Sequence, residues 1–543
     1  MASCQVELPH NLDSILSDAD DNNLKTIPRD EMITQLQDGV FLKQKKVKFW
    51  VNRITSANAF ELYARGLSIV WDDGSRWKWI SMEDNNSCVN VEVAELVSVW
   101  WLDVKKTDFD TAMLTPGTSY EVTFVIMMKE TSHGFTNVPV KLKFVLPNQE
   151  PVERTEDLSI LPRNEWKEIK IGHFFTNCNM SGNINISMYN HENTQHELSG
   201  LVVNKIIIRP NMNWKALSGE NNWDGLLNPL NGHLNKCITL YGDRVQAIYD
   251  SINSEKSSPM YGRHTYEKEG LFYKLGLEKN ESVKCQLYEV KKYIYANVDV
   301  PFPLDLIAQD NQTWIAYVAV ATDKGKDVVG RRDILVCWRG TSTVADWLKN
   351  AEVIRLIRAE VIFPNVLHPK VHKGFYSIYT QPTSPNVKDG ARDQILDEVR
   401  RWVTAYQDEE VSITVTGHSL GAALATMNAA DIVSNGFNMP STGQINKEFL
   451  VTAIVFASPR VGNVEFKKEF DQLTKVNGKP RLLRITNSSD IITGVPPSPF
   501  VEVGANNITI GTTTASADEG TYKAHNLKNY IRELRALLPS SNA

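Results

Sequence analysis

The feature that most constrains this chain is the pentapeptide Gly417-His418-Ser419-Leu420-Gly421, which joins a β-type run to a helical run. The run before it, VSITVT, is rich in β-branched residues, and the run after it, AALATMNAADIVSNG, begins with small residues that let a helix pack closely on a sheet. A G-x-S-x-G sequence between a strand and a helix is typical of a nucleophile elbow, which exposes the serine hydroxyl on a sharp turn. We therefore predict that Ser419 is a nucleophile.

A serine nucleophile needs a histidine as base and a carboxylate that orients this histidine. In the chain order of α/β-hydrolases the histidine comes last, and only His525 of the eleven histidines follows Ser419. The aspartates after the serine are Asp431, Asp471, Asp490 and Asp518, alongside several glutamates. Asp490 is favoured because it follows the β-type run RLLRIT by a short polar loop, and catalytic groups gather at the carboxyl ends of strands. Asp431 lies along the elbow helix and should point away.

The oxyanion of an acyl-transfer intermediate needs hydrogen-bond donors, usually the N–H after the nucleophile and one from an early strand–loop junction. Leu420 supplies the first of these N–H groups. The sequence Trp338-Arg339-Gly340-Thr341 ends the β-type run DILVCW, so Thr341 is the candidate for the second donor.

The pattern of predicted secondary structure changes near residue 210. Residues 41–209 contain short β-type runs separated by turn residues, which predicts an all-β sandwich preceded by a short helical segment. Candidate helix starts are Ser17-Asp18-Ala19-Asp20 and Pro28-Arg29-Asp30-Glu31. Beyond the polar stretch 211–222, β-type and helical runs alternate, as in an α/β fold. We predict domains at 1–210 and 223–543, with 211–222 as a linker.

Composition and charge exclude several functions. The chain has a net charge of −6 and therefore lacks the excess of basic residues that is typical of nucleic-acid-binding proteins. The six cysteines have no spacing suited to zinc, and we expect them to be reduced. No apolar run is long enough to span a membrane, and the N-terminal residues do not resemble a secretory signal. These features predict a cytoplasmic protein.

Several segments of the second half together resemble class 3 lipases, and more closely the class II phospholipases A1 of plants. They are WRGTSTVADW (338–347), KVHKGFYSIYT (371–381), TVTGHSLGAALATMNAADI (414–432), FASPRVGN (456–463) and AHNLKNYI (524–531). The resemblance implies an α/β-hydrolase that cleaves the sn-1 acyl ester of glycerolipids without a metal or cofactor. It also implies Ser419, Asp490 and His525 as the catalytic triad, with Thr341 and Leu420 as oxyanion donors.

The segment AEVIRLIRAEVIFPNVLHP (351–369) occupies the place of the lid in such lipases. Its residues Val353, Leu356, Ile357, Val361 and Ile362 fall near helical spacing, with Arg355 and Arg358 between them. We expect an amphipathic helix that covers the acyl groove in water and opens at a lipid surface; a plain surface helix is the alternative. His372, just beyond it, is expected to be structural.

The first half resembles phloem protein 2, a family of Nictaba-type lectins with a jelly-roll-like sandwich. The likeness lies in GVFLKQKKVKFWVNRITSANAFELYARGLSIVWDD, VEVAELVSVWWLDV and GLVVNKIIIRP, and some family members bind N-acetylglucosamine oligomers. Trp71 and Trp77, in LSIVWDDGSRWKWI, are the nearest matches to the sugar-stacking tryptophans, although this segment is one residue shorter and lacks a tyrosine.

We thus expect a lectin-like module joined to a serine acyl hydrolase that acts on glycerolipids at a membrane or lipid surface. Two other interpretations stay open. The hydrolase half could be a non-catalytic signalling platform, or the lectin half could be the functional end beside a vestigial hydrolase.

Overall fold

Two units make up the chain, the first covering Met1–Met212 and the second Asn213–Pro539. The computed structural model describes residues 8–84, 87, 89–177, 180–192, 196–297, 312–341, 355–384, 387–473, 480–511 and 524–537. Most of the segment predicted as a linker, 211–222, falls in the second unit. Leu217, in this segment, accepts the ring N–H of the buried Trp223 at 2.9 Å, so the segment is bonded to the second unit.

The first unit is built from two antiparallel sheets. Its strands are β1 (Val40–Leu42), β2 (Val47–Val51), β3 (Asn58–Tyr63), β4 (Ser68–Ile69), β5 (Trp77–Glu83), β6 (Asn90–Leu96), β7 (Leu102–Asp110), β8 (Ser119–His133), β9 (Val140–Val145), β10 (Val152–Glu156), β11 (Trp166–Phe175), β12 (Asn183–Asn190) and β13 (Ser199–Pro210). Eight strands form one sheet, in the order β1-β2-β3-β13-β6-β5 with β8 and β11 added beside β13. The other sheet has the order β10-β9-β12-β7-β4.

One hydrophobic core lies between these sheets, so the first unit is a β-sandwich. Phe60, Phe124 and Ile206 of the larger sheet share this core with Leu142 and Ile186 of the smaller one. Alternate residues of each strand point inward, which explains the alternating pattern of burial along β9 and β12. The predicted all-β architecture of this half is confirmed.

Short helices precede the sandwich, as expected, but only one of the two predicted starts is correct. The helices are α1 (Leu12–Leu16) and α2 (Arg29–Asp38), with one-turn 3₁₀ helices at Asn22–Lys25, Ala64–Gly66, Thr111–Met113 and Leu158–Ile160. Helix α2 follows Pro28, which suits the first turn of a helix because it lacks an N–H. Ser17, by contrast, follows the last residue of α1.

The second unit is organised around a seven-stranded sheet. Its strands are β14 (Tyr288–Asn297), β15 (Gln312–Ala321), β16 (Arg332–Trp338), β17 (Leu356–Arg358), β18 (Lys370–His372), β19 (Pro382–Ser384), β20 (Val387–Gly390), β21 (Val411–His418), β22 (Leu450–Phe456), β23 (Arg481–Asn487) and β24 (Asn506–Ile510). The main sheet has the order β14-β15-β16-β21-β22-β23-β24, and its last five strands are parallel. Two small hairpin sheets pair β17 with β18 and β19 with β20.

The second unit also contains nine helices within the residues that the structure describes. They are α3 (Trp214–Leu217), α4 (Gly232–Ser251), α5 (Leu271–Lys274), α6 (Asp323–Val329), α7 (Lys373–Thr380), α8 (Ala391–Ala405), α9 (Leu420–Ser434), α10 (Val464–Leu473) and α11 (Leu527–Ala536), with 3₁₀ turns at Val283–Cys285 and Ile491–Gly494. Five β-type runs of the sequence coincide with strands of the main sheet: WIAYVAV (314–320) with β15, DILVCW (333–338) with β16, VSITVT (411–416) with β21, FLVTAIVFA (449–457) with β22 and RLLRIT (481–486) with β23. Strands that are buried on both faces read as continuous apolar runs. The predicted α/β fold is confirmed.

No helix within the described ranges is long and apolar enough to cross a bilayer. Among the cysteines that the structure describes, Cys237 and Cys337 are buried free thiols, whereas Cys285 is disulfide-bonded. The expectation of reduced cysteines is therefore wrong at Cys285.

The predicted lid helix is wrong over the part of 351–369 that the structure describes, while Val353 lies outside the described residues. Leu356–Arg358 is a strand that pairs with β18, and turns follow it. Ile362 and Phe363 are buried in the core of the second unit. The hydroxyl of Ser434 on α9 donates to the carbonyl of Ile362 at 2.6 Å. Ile362 and Phe363 therefore anchor this segment in the core.

We expect Ile362→Ala to lower the free energy of unfolding by about 2–5 kcal/mol, because it removes a fully buried side chain from a packed core. Leu367→Ala is the matched control in the same segment, since Leu367 is 65% exposed and its loss should change stability by less than about 0.5 kcal/mol. Chemical denaturation of both variants makes the comparison. Equal stability of the two variants would contradict the core role of Ile362.

Candidate active site

Ser419 lies at the sharp turn between β21 and α9. Its backbone has φ 59° and ψ −124°, a conformation that an L-residue adopts only under strain of about 1–3 kcal/mol. The surrounding sheet holds this turn in place, because the N–H of Ser419 donates to the carbonyl of Phe456 on the neighbouring strand at 3.0 Å. The local geometry is that of a nucleophile elbow.

The structure brings the three predicted triad residues together. Nε2 of His525 lies 2.8 Å from the Oγ of Ser419, and Nδ1 of His525 lies 2.8 Å from Oδ2 of Asp490. These distances are within hydrogen-bond range, with the imidazole between the hydroxyl and the carboxylate. In this arrangement His525 can take the proton of Ser419 while Asp490 holds the tautomer with the proton on Nδ1.

Asp490 is fixed by more than His525. Its Oδ1 accepts the N–H of Ile492 at 3.0 Å, while its Oδ2 also accepts the hydroxyl of Tyr530 at 2.8 Å. Burial is the largest influence on the pKa of Asp490 and acts to raise it, but the hydrogen bonds and the interaction with His525 outweigh it. The pKa of Asp490 therefore lies below its usual range, and the carboxylate stays charged beside the histidine.

Helix α11 places both His525 and Tyr530. The helix begins two residues after His525, with Asn526 as its N-cap. It is attached to α4 by a buried hydrogen bond of 2.7 Å from the side chain of Asn235 to the carbonyl of Leu534. Tyr530 also accepts the N–H of Asn487, at the end of β23, at 2.9 Å. The loop that carries Asp490 is thus tied to the helix that follows the base.

The loop after β16 approaches the elbow closely, which places the predicted oxyanion donor Thr341 beside it. A Cβ at Gly340 would lie 2.5 Å from the carbonyl oxygen of His418, and a Cβ at Gly421 would lie 2.4 Å from that of Trp338. Only glycine permits both approaches. Thr341 is buried next to Gly340, and Leu420 is the first residue of α9, where helix N–H groups lack partners within the helix.

The other residues that the sequence singled out have structural roles. Asp431 is buried on α9 and accepts from Arg392 through both oxygens, at 2.6 and 3.0 Å. His372 is buried and accepts the N–H of Gly374 through Nδ1 at 3.1 Å, so that it caps α7. Within the described ranges, no group of three or more His, Cys, Asp or Glu side chains is arranged to hold a metal ion.

The two tryptophans predicted to stack on sugar do not form one exposed surface. Trp77 is 1% exposed and belongs to the core of the sandwich, where its ring N–H donates to the carbonyl of Val70 at 3.1 Å. Trp77 therefore has no free face for a ligand, and its assignment to a sugar site is corrected. Trp71 is 52% exposed, on a turn with the unusual φ of 67°.

Trp71 instead belongs to a group of four rings and one carboxylate that we call the Trp71 cluster: Trp71, Trp101, Tyr189, His191 and Asp103. Trp71 packs edge-on against Trp101 with centroids 5.9 Å apart, and Trp101 packs edge-on against His191 at 5.3 Å. Tyr189 lies 5.0 Å from His191, whose Nε2 is 3.3 Å from the carboxylate of Asp103. Sequence reasoning missed Trp101, Tyr189, His191 and Asp103 because β7 and β12 bring them together only in the folded sheet.

Comparison with known families finds two matches. Residues 335–500 match the model of class 3 lipases, and residues 57–210 match that of phloem protein 2. The first range contains Ser419 and Asp490, and the second contains the Trp71 cluster.

Curated relatives are similar to about half of this chain. Phospholipase A1-II 6 of Oryza sativa subsp. japonica is 43% identical over 297 residues, which is 53% of this chain and 71% of the relative. Phospholipase A1-IIgamma of Arabidopsis thaliana is 42% identical over 302 residues, covering 54% of this chain and 70% of that protein.

Solved structures with some similarity are also lipases. The Lip2 lipase from Yarrowia lipolytica is 21% identical, with a TM-score of 0.29, and the match covers 43% of this chain and 71% of that one. The triacylglyceride lipase of Rhizomucor miehei is 20% identical with a TM-score of 0.29, over 45% of this chain and 75% of the other.

We expect Tyr530→Phe to reduce kcat/KM on a soluble ester about tenfold, because Asp490 loses a donor to its charged form. Loss of this donor raises the pKa of Asp490. Since the carboxylate must be ionised, the fall in activity on the acid side should move to higher pH. Tyr317→Phe is the matched control, because it removes a buried hydroxyl that donates to the carbonyl of Arg244 at 2.8 Å, away from the triad. An unshifted acid limb in Tyr530→Phe would contradict the role of Tyr530.

Proposed function

The chain belongs to the phospholipase A1-II family, and we propose that it hydrolyses the sn-1 acyl ester of glycerolipids with Ser419, His525 and Asp490 as its catalytic triad. The observation that carries this proposal is the hydrogen-bonded line from Ser419 through His525 to Asp490, with 2.8 Å at each link. The family is one of ester-hydrolysing lipases, so a lipid ester is the substrate.

The proposed mechanism has two steps. Nε2 of His525 takes the proton of Ser419 while the Oγ of Ser419 attacks the ester carbonyl. Asp490 stabilises the imidazolium that forms. The N–H groups of Thr341 and Leu420 donate to the oxyanion of the tetrahedral intermediate. His525 then protonates the departing lysolipid oxygen, which leaves an acyl group on Ser419. Water, deprotonated by His525, attacks this acyl-enzyme, and Ser419 regains its proton when the fatty acid leaves.

The test uses phospholipid, galactolipid and neutral acylglycerol substrates with different acyl chains at sn-1 and sn-2, presented in vesicles or micelles. We expect mass spectrometry to find mainly the sn-1 fatty acid, and Ser419→Ala to lower the rate by about 10⁴-fold or more without loss of fold. Release of the sn-2 chain would contradict the positional assignment. A folded wild-type protein without any product would favour the non-catalytic signalling platform.

We also propose that the phloem protein 2 module binds glycans of the N-acetylglucosamine type at the Trp71 cluster. Two observations support this proposal. Trp71 is held out to solvent by a left-handed backbone conformation, which is unfavourable for a tryptophan and is often retained at binding sites. Beside the rings, Asp103 offers a carboxylate, and a site that combines aromatic faces with a few polar groups suits a ligand with both apolar and hydroxyl surfaces.

We expect Trp71→Ala and Trp101→Ala each to raise the Kd of the full chain for N,N′,N″-triacetylchitotriose about tenfold in calorimetric titration. Phe175→Ala is the matched control, because Phe175 is a 60% exposed aromatic residue of the same module outside the cluster. An unchanged Kd in Trp71→Ala would contradict the assignment of the site. Absence of binding by the wild-type protein would contradict glycan recognition itself.

We propose the cytoplasm as the compartment. The buried free thiols of Cys237 and Cys337 support it, and the disulfide at Cys285 counts against it. Fractionation of cells that express the tagged full chain tests this directly, and recovery of the protein outside the cytosol would contradict it.

A further inference from the structure

His418, the residue before the nucleophile, makes two hydrogen bonds that the triad does not account for. Its ring is buried beneath the elbow. Nε2 of His418 lies 2.8 Å from the backbone carbonyl oxygen of His525, and Nδ1 lies 3.0 Å from the hydroxyl of Tyr249 on α4. The ring therefore connects the end of β21, helix α4 and the backbone of the catalytic base.

The chemistry of these partners fixes the tautomer of His418. A carbonyl oxygen can only accept, so Nε2 carries the proton and donates it to His525. Nδ1 is then an acceptor, and the hydroxyl of Tyr249 donates to it. Burial, and secondly the nearby His525, lower the pKa of His418 to about 3, so the ring is neutral at pH 7. His418 consequently has no free nitrogen with which to act as a base.

The ring of His418 must be neutral because it lies beside His525. The centroids of His418 and His525 are 4.8 Å apart, and His525 becomes an imidazolium during acyl transfer. A second positive charge at that distance would oppose this step. A neutral donor holds the backbone of the base without that repulsion.

Tyr249 also contacts the loop after β16, which carries the proposed oxyanion donor Thr341 and is called the oxyanion loop below. A Cβ at Gly340 would lie 2.3 Å from the hydroxyl oxygen of Tyr249, so this hydroxyl packs directly against the residue before Thr341. One side chain thus contacts the loop of the oxyanion donor and orients the ring that holds the base.

We propose that His418 and Tyr249 are positioning residues, a neutral hydrogen-bonded pair that fixes the backbone of His525 relative to Ser419 and to the oxyanion loop. The inference rests on the proposed hydrolase function, and it adds that the histidine of the G-H-S-L-G motif acts through the base and never exchanges a proton with substrate.

The test compares His418→Leu, His418→Gln and Tyr249→Phe in the full chain. Titration to completion with a fluorophosphonate first counts the competent sites, and kcat and KM on a soluble p-nitrophenyl ester are then expressed per titrated site. We expect His418→Leu to lower kcat about 10- to 100-fold, with KM changed less than about twofold, because a small displacement of the base slows proton transfer more than binding. Tyr249→Phe should lower kcat by a smaller factor. His418→Gln should recover part of the loss, since its amide N–H can donate to the carbonyl of His525.

Ile362→Ala is the control for a merely structural effect. It opens a cavity in the core of the same unit away from these hydrogen bonds, so it should reduce the titratable fraction or the Tm and leave kcat per site unchanged. Wild-type kcat per site in His418→Leu would overturn the proposal, and so would a His418→Gln variant no faster than His418→Leu. If His418→Leu yields no folded protein, unchanged kcat in Tyr249→Phe would overturn it. Wild-type protein that neither reacts with the fluorophosphonate nor cleaves the ester would overturn the hydrolase function instead.

Discussion

The hydrogen bond between the hydroxyl of Ser419 and Nε2 of His525 joins two residues that are 106 positions apart, and the rest of the site depends on it. Each partner is held from its own side. The parallel strands β21 and β22 keep the strained turn at Ser419 in place. Asp490 holds the ring of His525, and His418 holds the backbone carbonyl of His525. Proton transfer is sensitive to displacements of about 1 Å, so the relative position of Ser419 and His525 is the main condition for catalysis.

The sequence predicted those parts of the structure that local chemistry determines. The elbow is a local motif with its strand on one side and its helix on the other, and the order of residues left His525 as one candidate base. Asp490 could be chosen because it follows a buried strand. In the structure its Oδ1 accepts the N–H of Ile492, and its Oδ2 lies 2.8 Å from Nδ1 of His525. Five of the seven strands of the main sheet could be predicted, since strands buried on both faces form continuous apolar runs.

The remainder depends on long-range packing. The apolar residues of 353–362 have helical spacing, but spacing does not distinguish an amphipathic helix from a turn whose side chains enter a core, and Ile362 does the latter. Trp77 begins a strand on which successive side chains face opposite sides, so a shift of one residue decides between the core and solvent. Tyr530 has no fixed spacing to Asp490, and the position of His418 beside Ser419 does not reveal its hydrogen bond to the backbone of His525. Both hydrogen bonds form only when the segment 525–536 packs against the rest of the unit.

The most direct measurement is the mass of the intact protein after exposure to a fluorophosphonate, followed by peptide mapping. We expect one adduct per chain, on Ser419, and a labelling rate that falls by several orders of magnitude in His525→Ala, because the hydroxyl then has no base. Labelling of Ser419 at the wild-type rate without His525, or no labelling of Ser419 in the folded wild-type protein, would contradict the account.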